Sequence, residues 1–141
     1  MKFVTLLEVQ YLAHSLAKEL MSWDEPIPEF GSRFPNILES CLVTPFQTFG
    51  SKSLYKGLVE KAAILFYLLV KNHPFKNGNK RIATTTLFLF LSKNGKWLRV
   101  DTIQLYRFAK WVAESDSILK NETLLAIQTF LRKYLTDYVE Q

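Results

Sequence analysis

The stretch HPFKNGNKR at residues 73–81 separates the two most apolar segments of the chain. Residues 62–70 before it are apolar without interruption, and residues 82–91 after it are apolar apart from three threonines. Both segments carry apolar side chains at helical spacing, so we predict two buried helices, over residues 53–71 and 79–94, joined by this polar turn. The turn therefore lies beside the core that the two helices build.

The remaining helices are indicated by caps and by apolar periodicity. Thr5 and Glu8 form a capping-box pattern, Ser53 and Asp101 are predicted N-caps, and Asn121 opens the last helix. The other predicted helices span residues 5–21, 35–42, 101–114 and 121–135, with a proline-containing connector over residues 23–34. We therefore predict an all-α fold of about six helices, in a single compact domain over residues 1–141.

Residues 43–49 depart from this helical pattern. The residues that favour strands there are Val43, Thr44, Phe46, Thr48 and Phe49, and Gly50 ends the stretch. The pattern leaves two interpretations open. The segment is either an extended flap or short hairpin that holds another chain by main-chain hydrogen bonds, or a connector whose aromatic rings cover the core.

Length and composition limit the class of protein. The chain has 141 residues, 48% of them apolar, which suffices to bury one core but not two. No apolar run approaches the ~20 residues that a membrane helix needs, and the N-terminal residues lack a signal-peptide core. The one cysteine, Cys41, cannot form an internal disulfide, which fits a reducing compartment. We therefore expect a cytoplasmic protein without a membrane segment.

The formal net charge of +5 is concentrated in one region. Residues 61–100 contain eight basic side chains and no Asp or Glu. Such a block suggests an anionic partner, such as a nucleotide, a nucleic acid or an acidic protein segment, although it also fits a solvated surface. Nucleic acid is the least favoured partner, because the basic residues flank the apolar residues 82–91 and leave no helix with base-reading polar side chains.

The turn at residues 73–81 places two cationic side chains, Lys80 and Arg81, at the start of a predicted helix. The N–H groups at a helix N-terminus and the helix dipole already favour an anion there. Lys80 and Arg81 add positive charge in the first turn, where it opposes the dipole unless an anion is bound. The arrangement fits two interpretations equally well: a phosphate-binding site, or two cations that pair with carboxylates elsewhere in the fold.

His73 stands at the start of the same turn. A single histidine is more often a packed or surface residue than a catalyst, but imidazole titrates near pH ~6.5 and suits a general base. Its place a few residues before a phosphate cradle makes His73 the candidate catalytic residue. Phe75 is predicted to anchor the turn in the core. His14, in the first helix, has no such neighbours and receives no role.

The positions that resemble the signature of the Fic/Doc family are His73, Pro74, Phe75, Gly78, Asn79, Lys80 and Arg81. Lys80 stands where Fic adenylyltransferases typically carry Gly, which resembles the death-on-curing (Doc) branch. The resemblance extends to both flanks, from Leu38-Glu39-Ser40 to Asn94-Gly95. The positions that carry it therefore span residues 38–95.

This resemblance implies a mostly helical kinase that is the toxin of a toxin–antitoxin system. Doc transfers the γ-phosphate of ATP to a threonine of translation elongation factor Tu, and a small antitoxin with a disordered tail restrains it. By resemblance, His73 would be the general base, Gly78 and Asn79 would form the anion cradle, and Lys80 and Arg81 would neutralise phosphate charge. The flap that receives the target protein would comprise Thr44, Phe46, Gln47, Thr48 and Phe49.

Two positions depart from the family pattern. The family usually has Asp or Glu at position 77, where the side chain holds Mg²⁺, whereas the amide of Asn77 can coordinate the ion but adds no charge, so Mg²⁺ affinity should fall. The second Arg of the Fic signature is replaced by Thr84, which removes a phosphate clamp and favours the kinase. Two alternatives stay open: a Doc-fold protein that binds nucleotide or a partner without catalysis, and a Fic-type protein adenylyltransferase.

Overall fold

A computed structural model describes residues 1–20 and 26–139 of the chain. Its helices are α1 (Leu6–Glu8), a π-helical turn (Val9–Ala13), α2 (His14–Leu20), α3 (Ile37–Val43), α4 (Leu58–Lys71), α5 (Asn79–Lys93), α6 (Thr102–Glu114) and α7 (Lys120–Tyr134). Short 3-10 turns lie at Phe30–Ser32, Thr44–Phe46 and Ser117–Leu119. Two antiparallel pairs complete the fold: β1 (Thr48–Phe49) with β2 (Lys52–Ser53), and β3 (Lys96–Leu98) with β4 (Leu135–Asp137). Because residues 6–20 form one continuous helix, the described residues hold six α-helices, which confirms the predicted all-α class.

Helix α4 is the centre of the core. Every side chain from Lys61 to Val70 is buried, because α3, α5, α6 and α7 pack around this helix. Although it is apolar, α4 is a core helix: among the described residues no helix is long and apolar enough to cross a membrane. Helix α5 is likewise buried from Arg81 to Leu87. The signature turn (residues 73–81) is therefore fixed at both ends by the two most buried helices.

Helix α5 also packs against the first helix, where two of its side chains donate to carbonyl groups. Thr85 Oγ1 donates to the carbonyl of Ala13 at 2.7 Å, and Arg81 Nη2 donates to the carbonyl of Ala17. Ala13 and Ala17 are fully buried, and their small side chains let the two helices approach closely enough for these bonds. The π-helical turn ends at Ala13. The bond from Thr85 of α5 therefore holds the C-terminal end of this irregular part of the first helix.

Two predicted caps are confirmed by hydrogen bonds. Thr5 Oγ1 accepts from the N–H of Glu8 at 3.1 Å, and Glu8 Oε1 accepts from the N–H of Thr5 at 2.9 Å, which completes the capping box. Asp101 Oδ1 accepts from the N–H of Ile103 at 2.7 Å. The first helix reaches Leu20, and its predicted end at residue 21 lies outside the described residues.

The predicted N-cap at Ser53 is wrong. Ser53 belongs to β2, where its partner is Thr48 of β1, and α4 begins only at Leu58 with Gly57 as its N-cap. Gly50 has a φ of 64° and forms the tight turn between the strands. Residues 48–53 therefore form a hairpin, which we call the flap hairpin, and the helix starts after it.

The prediction of an extended flap over residues 43–49 is right only at its C-terminal end. Val43 is the last residue of α3, and Thr44–Phe46 form a 3-10 turn in which Thr44 Oγ1 donates to the carbonyl of Ser40 at 2.7 Å. Pro45 suits the start of that turn because its ring fixes φ. The extended part is Thr48–Phe49, so Thr44 and Phe46 are wrongly placed in the extended segment.

Smaller differences occur at two other helix ends. Helix α3 starts at Ile37 rather than at residue 35, because Asn36 has a left-handed φ of 71° and forms its N-cap. Helix α7 ends at Tyr134, and the chain continues into β4, which pairs with β3. Local periodicity does not show such a pairing between segments that are distant in sequence.

Thr86 offers a test of packing in α5. Its hydroxyl oxygen is buried and has no hydrogen-bond partner among the described residues. We expect Thr86→Val, which replaces the hydroxyl with a methyl group of similar size, to raise the free energy of unfolding by about 1 kcal/mol, measured by urea denaturation.

Thr85→Val is the matched control, because the neighbouring hydroxyl donates to the carbonyl of Ala13. We expect this variant to lower the free energy of unfolding by about 1 kcal/mol or more, since the carbonyl stays buried. Equal effects of the two substitutions would contradict the assignment of Thr86 as the unsatisfied hydroxyl.

Candidate functional site

The signature turn bends the chain by placing two residues in the left-handed region. His73 has a φ of 49° and Gly78 a φ of 75°. A left-handed conformation is costly for a residue with a side chain, so it persists at His73 only because the surroundings fix it. The backbone thus presents His73 in a defined, strained conformation, which is common at functional sites.

The side chain of Asn79 closes this turn by two hydrogen bonds to the backbone of Phe75. Its Oδ1 accepts from the N–H of Phe75 at 3.0 Å, and its Nδ2 donates to the carbonyl of Phe75 at 2.8 Å. Asn79 is only 6% exposed, so these bonds are made in a buried environment where leaving either group unpaired would be costly. Because the side chain of Asn79 closes the turn, the predicted anion cradle can use the backbone of this residue rather than its side chain.

Asn79 also contacts the candidate base. Its Nδ2 lies 3.4 Å from Nδ1 of His73, near the long limit of a hydrogen bond. Because an amide nitrogen can only donate, a hydrogen bond at this contact requires the tautomer in which Nδ1 accepts and Nε2 carries the hydrogen. The imidazole is exposed, so its other nitrogen is accessible to a second molecule.

Phe75 is fully buried beneath the turn, as expected for an anchor. Its ring centroid lies 5.7 Å from that of His14 and 5.8 Å from that of Phe30. The three rings join the signature turn to the first helix and to the connector that contains Phe30. The backbone adds a further link, because the N–H of Phe34 donates to the carbonyl of Pro74 at 2.9 Å.

His14, which received no role from the sequence, holds the connector in place. It is buried, and its Nε2 donates to the carbonyl of Pro28 at 2.8 Å. Burial disfavours the charged imidazolium and lowers the pKa of His14, and the nearby Lys18 adds to this effect. A sign of this role was present in the sequence, since His14 lies between Ala13 and Leu16, among the apolar positions of the first helix.

Gly78 is required by its surroundings as well as by its φ. A Cβ atom at this position would lie 2.6 Å from Cδ1 of Ile27 and 3.2 Å from the carbonyl oxygen of Pro26. Gly78 is buried because the connector lies against it. The glycine therefore allows both the turn into α5 and the close approach of the connector.

The two cations at the start of α5 lie in different environments. Arg81 is buried, with its guanidinium donating to the carbonyl of Ala17, whereas Lys80 is half-buried. Lys76, in the same turn, is exposed. Lys80 is therefore the more exposed of the two cations, and a phosphate contact by either residue stays a prediction.

Asn77 is half-buried in the turn. Among residues 1–20 and 26–139, no cluster of three or more His, Cys, Asp or Glu side chains could hold a metal ion. One amide oxygen does not make a magnesium site, because Mg²⁺ prefers carboxylate and phosphate oxygens. The described residues thus do not fit a resident Mg²⁺, and any ion would have to arrive on the phosphates of a nucleotide.

The flap hairpin has one strand edge that is directed outward. The N–H of Leu54 donates to the carbonyl of Gln47 at 3.0 Å, so these two residues form a hydrogen-bonded pair. Hydrogen-bonded pairs alternate along an antiparallel ladder with pairs whose N–H and C=O groups point away. Thr48, which pairs with Ser53, therefore directs its main-chain groups away from β2.

The five predicted flap residues divide into two groups. Thr44 and Phe46 lie in the 3-10 turn, and the Phe46 ring packs edge-on against Phe90, with 6.1 Å between their centroids. Phe46 thus covers the core, as the connector interpretation expected. Gln47, Thr48 and Phe49 are exposed, Phe49 by 82%, so of the five these are the ones accessible to another chain.

The lowered pKa of His14 predicts a pH dependence of stability. Above pH ~6.5 the histidine is neutral in both the native and the unfolded chain and contributes no dependence. Below that pH the unfolded chain takes up a proton that the native protein resists, so we expect the free energy of unfolding to fall as the pH is lowered from 7.5 to 5.5.

Urea denaturation at both pH values, on the parent protein and on His14→Gln, measures this effect. Gln keeps a donor for the Pro28 carbonyl but does not titrate. We expect a smaller decrease in the variant, and an equal decrease in both proteins would assign the dependence to other groups.

Two comparisons with known proteins found matches. The model of the Fic/DOC family matches residues 4–91, which are more than half of the chain. Toxin Doc of Mycolicibacterium smegmatis is 35% identical over 65 residues, which are 46% of this chain and 50% of that protein. The chain thus spans about half the length of this curated relative. No solved structure matches the chain significantly.

Proposed function

Because the chain belongs to the Fic/Doc family, we propose that it is a Doc-like toxin that transfers the γ-phosphate of ATP to a hydroxyl group of a translation factor. The observation that carries this proposal is the exposed His73, which is fixed in a left-handed conformation at one end of the signature turn. The other end of the same turn brings Lys80 to the start of α5. A candidate base and a phosphate-binding helix start therefore lie within one turn.

In the proposed reaction the oxygen of the target hydroxyl attacks the γ-phosphorus of ATP. The new O–P bond forms as the bond from the γ-phosphorus to the β–γ bridging oxygen breaks, and ADP leaves. His73 Nε2 takes the hydroxyl proton. For this the neutral imidazole must carry its hydrogen on Nδ1, so the 3.4 Å contact with Asn79 has to be replaced when the target binds.

Two residues favour phosphate transfer over AMP transfer. Lys80 supplies a point charge for a phosphate group, and its side chain obstructs the path that a Gly at this position leaves for a phosphate chain. Thr84 is fully buried, and its hydroxyl donates to the carbonyl of Lys80 at 2.8 Å. Position 84 therefore offers no phosphate clamp of the Fic type.

The target segment would bind as an added strand at the edge of the flap hairpin. Thr48 directs its N–H and C=O away from β2, so these groups can pair with an extended peptide. Main-chain pairing positions a peptide without requiring a particular sequence. The proposal requires that a peptide paired at this edge present its acceptor hydroxyl to His73.

The proposed toxin would work in the cytoplasm, where translation factors and ATP are found. Its activity would be restrained by a small antitoxin whose disordered tail folds on the toxin surface. The similarity to Toxin Doc of M. smegmatis supports this partner class.

A second function, nucleotide or partner binding without catalysis, is favoured by Asn77. The signature turn contains no carboxylate, and ATP-bound Mg²⁺ would receive only an amide oxygen from this position. A Fic-type adenylyltransferase is the third possibility. The three functions differ in which phosphate of ATP, if any, is transferred to the target.

We expect purified protein to label elongation factor Tu with [γ-³²P]ATP but not with [α-³²P]ATP. His73→Ala should lower this transfer by about 10²- to 10⁴-fold while ATP binding by calorimetry stays unchanged, because a base on the acceptor does not touch the nucleotide. Transfer of the α-label would show adenylylation. ATP binding without transfer of either label would favour the silent binding protein.

Asn77→Asp tests the effect of the missing carboxylate. We expect the substitution to raise phosphotransfer and to lower the Mg²⁺ concentration at half-maximal rate by about tenfold, since a carboxylate adds charge to the ligand set. Asn72→Asp, on the exposed residue before His73, adds the same charge outside the metal position and should change the Mg²⁺ requirement little. A similar change in both variants would attribute the effect to net charge alone.

A further inference from the structure

Lys61 is a buried lysine in the centre of the molecule. It lies in the first half of α4 and is only 5% exposed. Lysine is rarely buried to this degree without a partner, because removing an ammonium from water is costly. Within residues 1–20 and 26–139, no carboxylate forms an ion pair with it. Its buried charge therefore has to be stabilised by other groups.

Those groups lie at the two ends of the flap hairpin. Nζ of Lys61 donates a hydrogen bond to the carbonyl of Tyr55, two residues after β2. The same ammonium lies over the ring of Phe46, 5.3 Å from its centroid, two residues before β1. One side chain of the core helix thus contacts the chain immediately before and immediately after the hairpin.

The hairpin depends on such an anchor. It has only two residue pairs, and two-stranded hairpins of this size are marginal in water. Most of its residues are exposed, so burial of its own side chains contributes little. The position of the hairpin is therefore set mainly at its ends, where Lys61 holds both.

We propose that Lys61 is a positioning residue that clamps the flap hairpin through the Tyr55 carbonyl and the Phe46 ring, and so fixes the edge at Thr48 for the target peptide. The second part rests on the proposed function. The clamp itself does not, because the hairpin is attached to α4 whether or not a target is phosphorylated.

The amide of Leu54 reports on the clamp directly. It is hydrogen-bonded to Gln47 across the hairpin, and its hydrogen exchange follows opening of the hairpin. We expect Lys61→Met, which keeps the apolar stem but removes the ammonium, to speed this exchange about tenfold, and Lys61→Arg to restore it. Lys71→Met is the matched control: its ammonium donates to the carbonyls of Ala113 and Ser115, away from the hairpin, and exchange at Leu54 should stay unchanged.

Parent-like exchange at Leu54 in a folded Lys61→Met protein would overturn the clamp. If that variant fails to fold by circular dichroism, Phe46→Leu serves instead, since it removes the ring face but leaves the ammonium in place. We expect Phe46→Leu to speed the exchange by a smaller factor, and parent-like exchange in it would again overturn the proposal.

Kinetics test the consequence for the target. We expect Lys61→Met to raise KM for elongation factor Tu about tenfold, with kcat and the ATP dissociation constant close to those of the parent, and Lys61→Arg to reverse the change. An unchanged KM with faster exchange at Leu54 would overturn the role in target positioning. A parent protein that transfers no label refutes the proposed function, while the exchange measurement still decides the clamp.

Discussion

The paired hydrogen bonds between the side chain of Asn79 and the backbone of Phe75 are the interaction on which the site depends. They satisfy both main-chain groups of a residue whose ring is buried, and they fasten the start of α5 to the middle of the preceding turn. With these bonds formed, Phe75 fills the core, and His73 is left exposed at the start of the turn in a conformation that its own backbone disfavours. The site is therefore a direct consequence of how α4 and α5 are joined.

The buried polar side chains around this turn share one kind of partner, the backbone carbonyl. Arg81 and Thr85 donate to the first helix, His14 to the connector and Lys61 to the segment after the flap hairpin. Each bond joins a helix to another segment of the chain. The connector is thereby held to the first helix, the first helix to α5 and the flap hairpin to α4, which is what a site assembled from separate segments requires.

These contacts show that the basic residues of the segment 61–100 do not all face solvent. Most of its basic side chains contact groups within the fold, among them Lys61, Lys71, Arg81, Lys93 and Lys96. A cluster of positive charge in the sequence is therefore not a continuous positive surface. This distribution favours a local anion site at the start of α5 over an extended nucleic-acid interface.

The sequence by itself determined the helical class, the capping box at Thr5, the cap at Asp101 and the turn between the two apolar helices. Each of these depends on residues within about four positions of one another, over which spacing and cap chemistry are decisive. Only the tertiary structure decided that Ser53 joins a hairpin, that β3 pairs with β4, and where the side chains of His14, Lys61 and Arg81 find their carbonyl partners. Those outcomes depend on which surfaces meet when the helices pack. A donor such as Arg81, whose partner is 64 residues away in the chain, has no local pattern that reveals it.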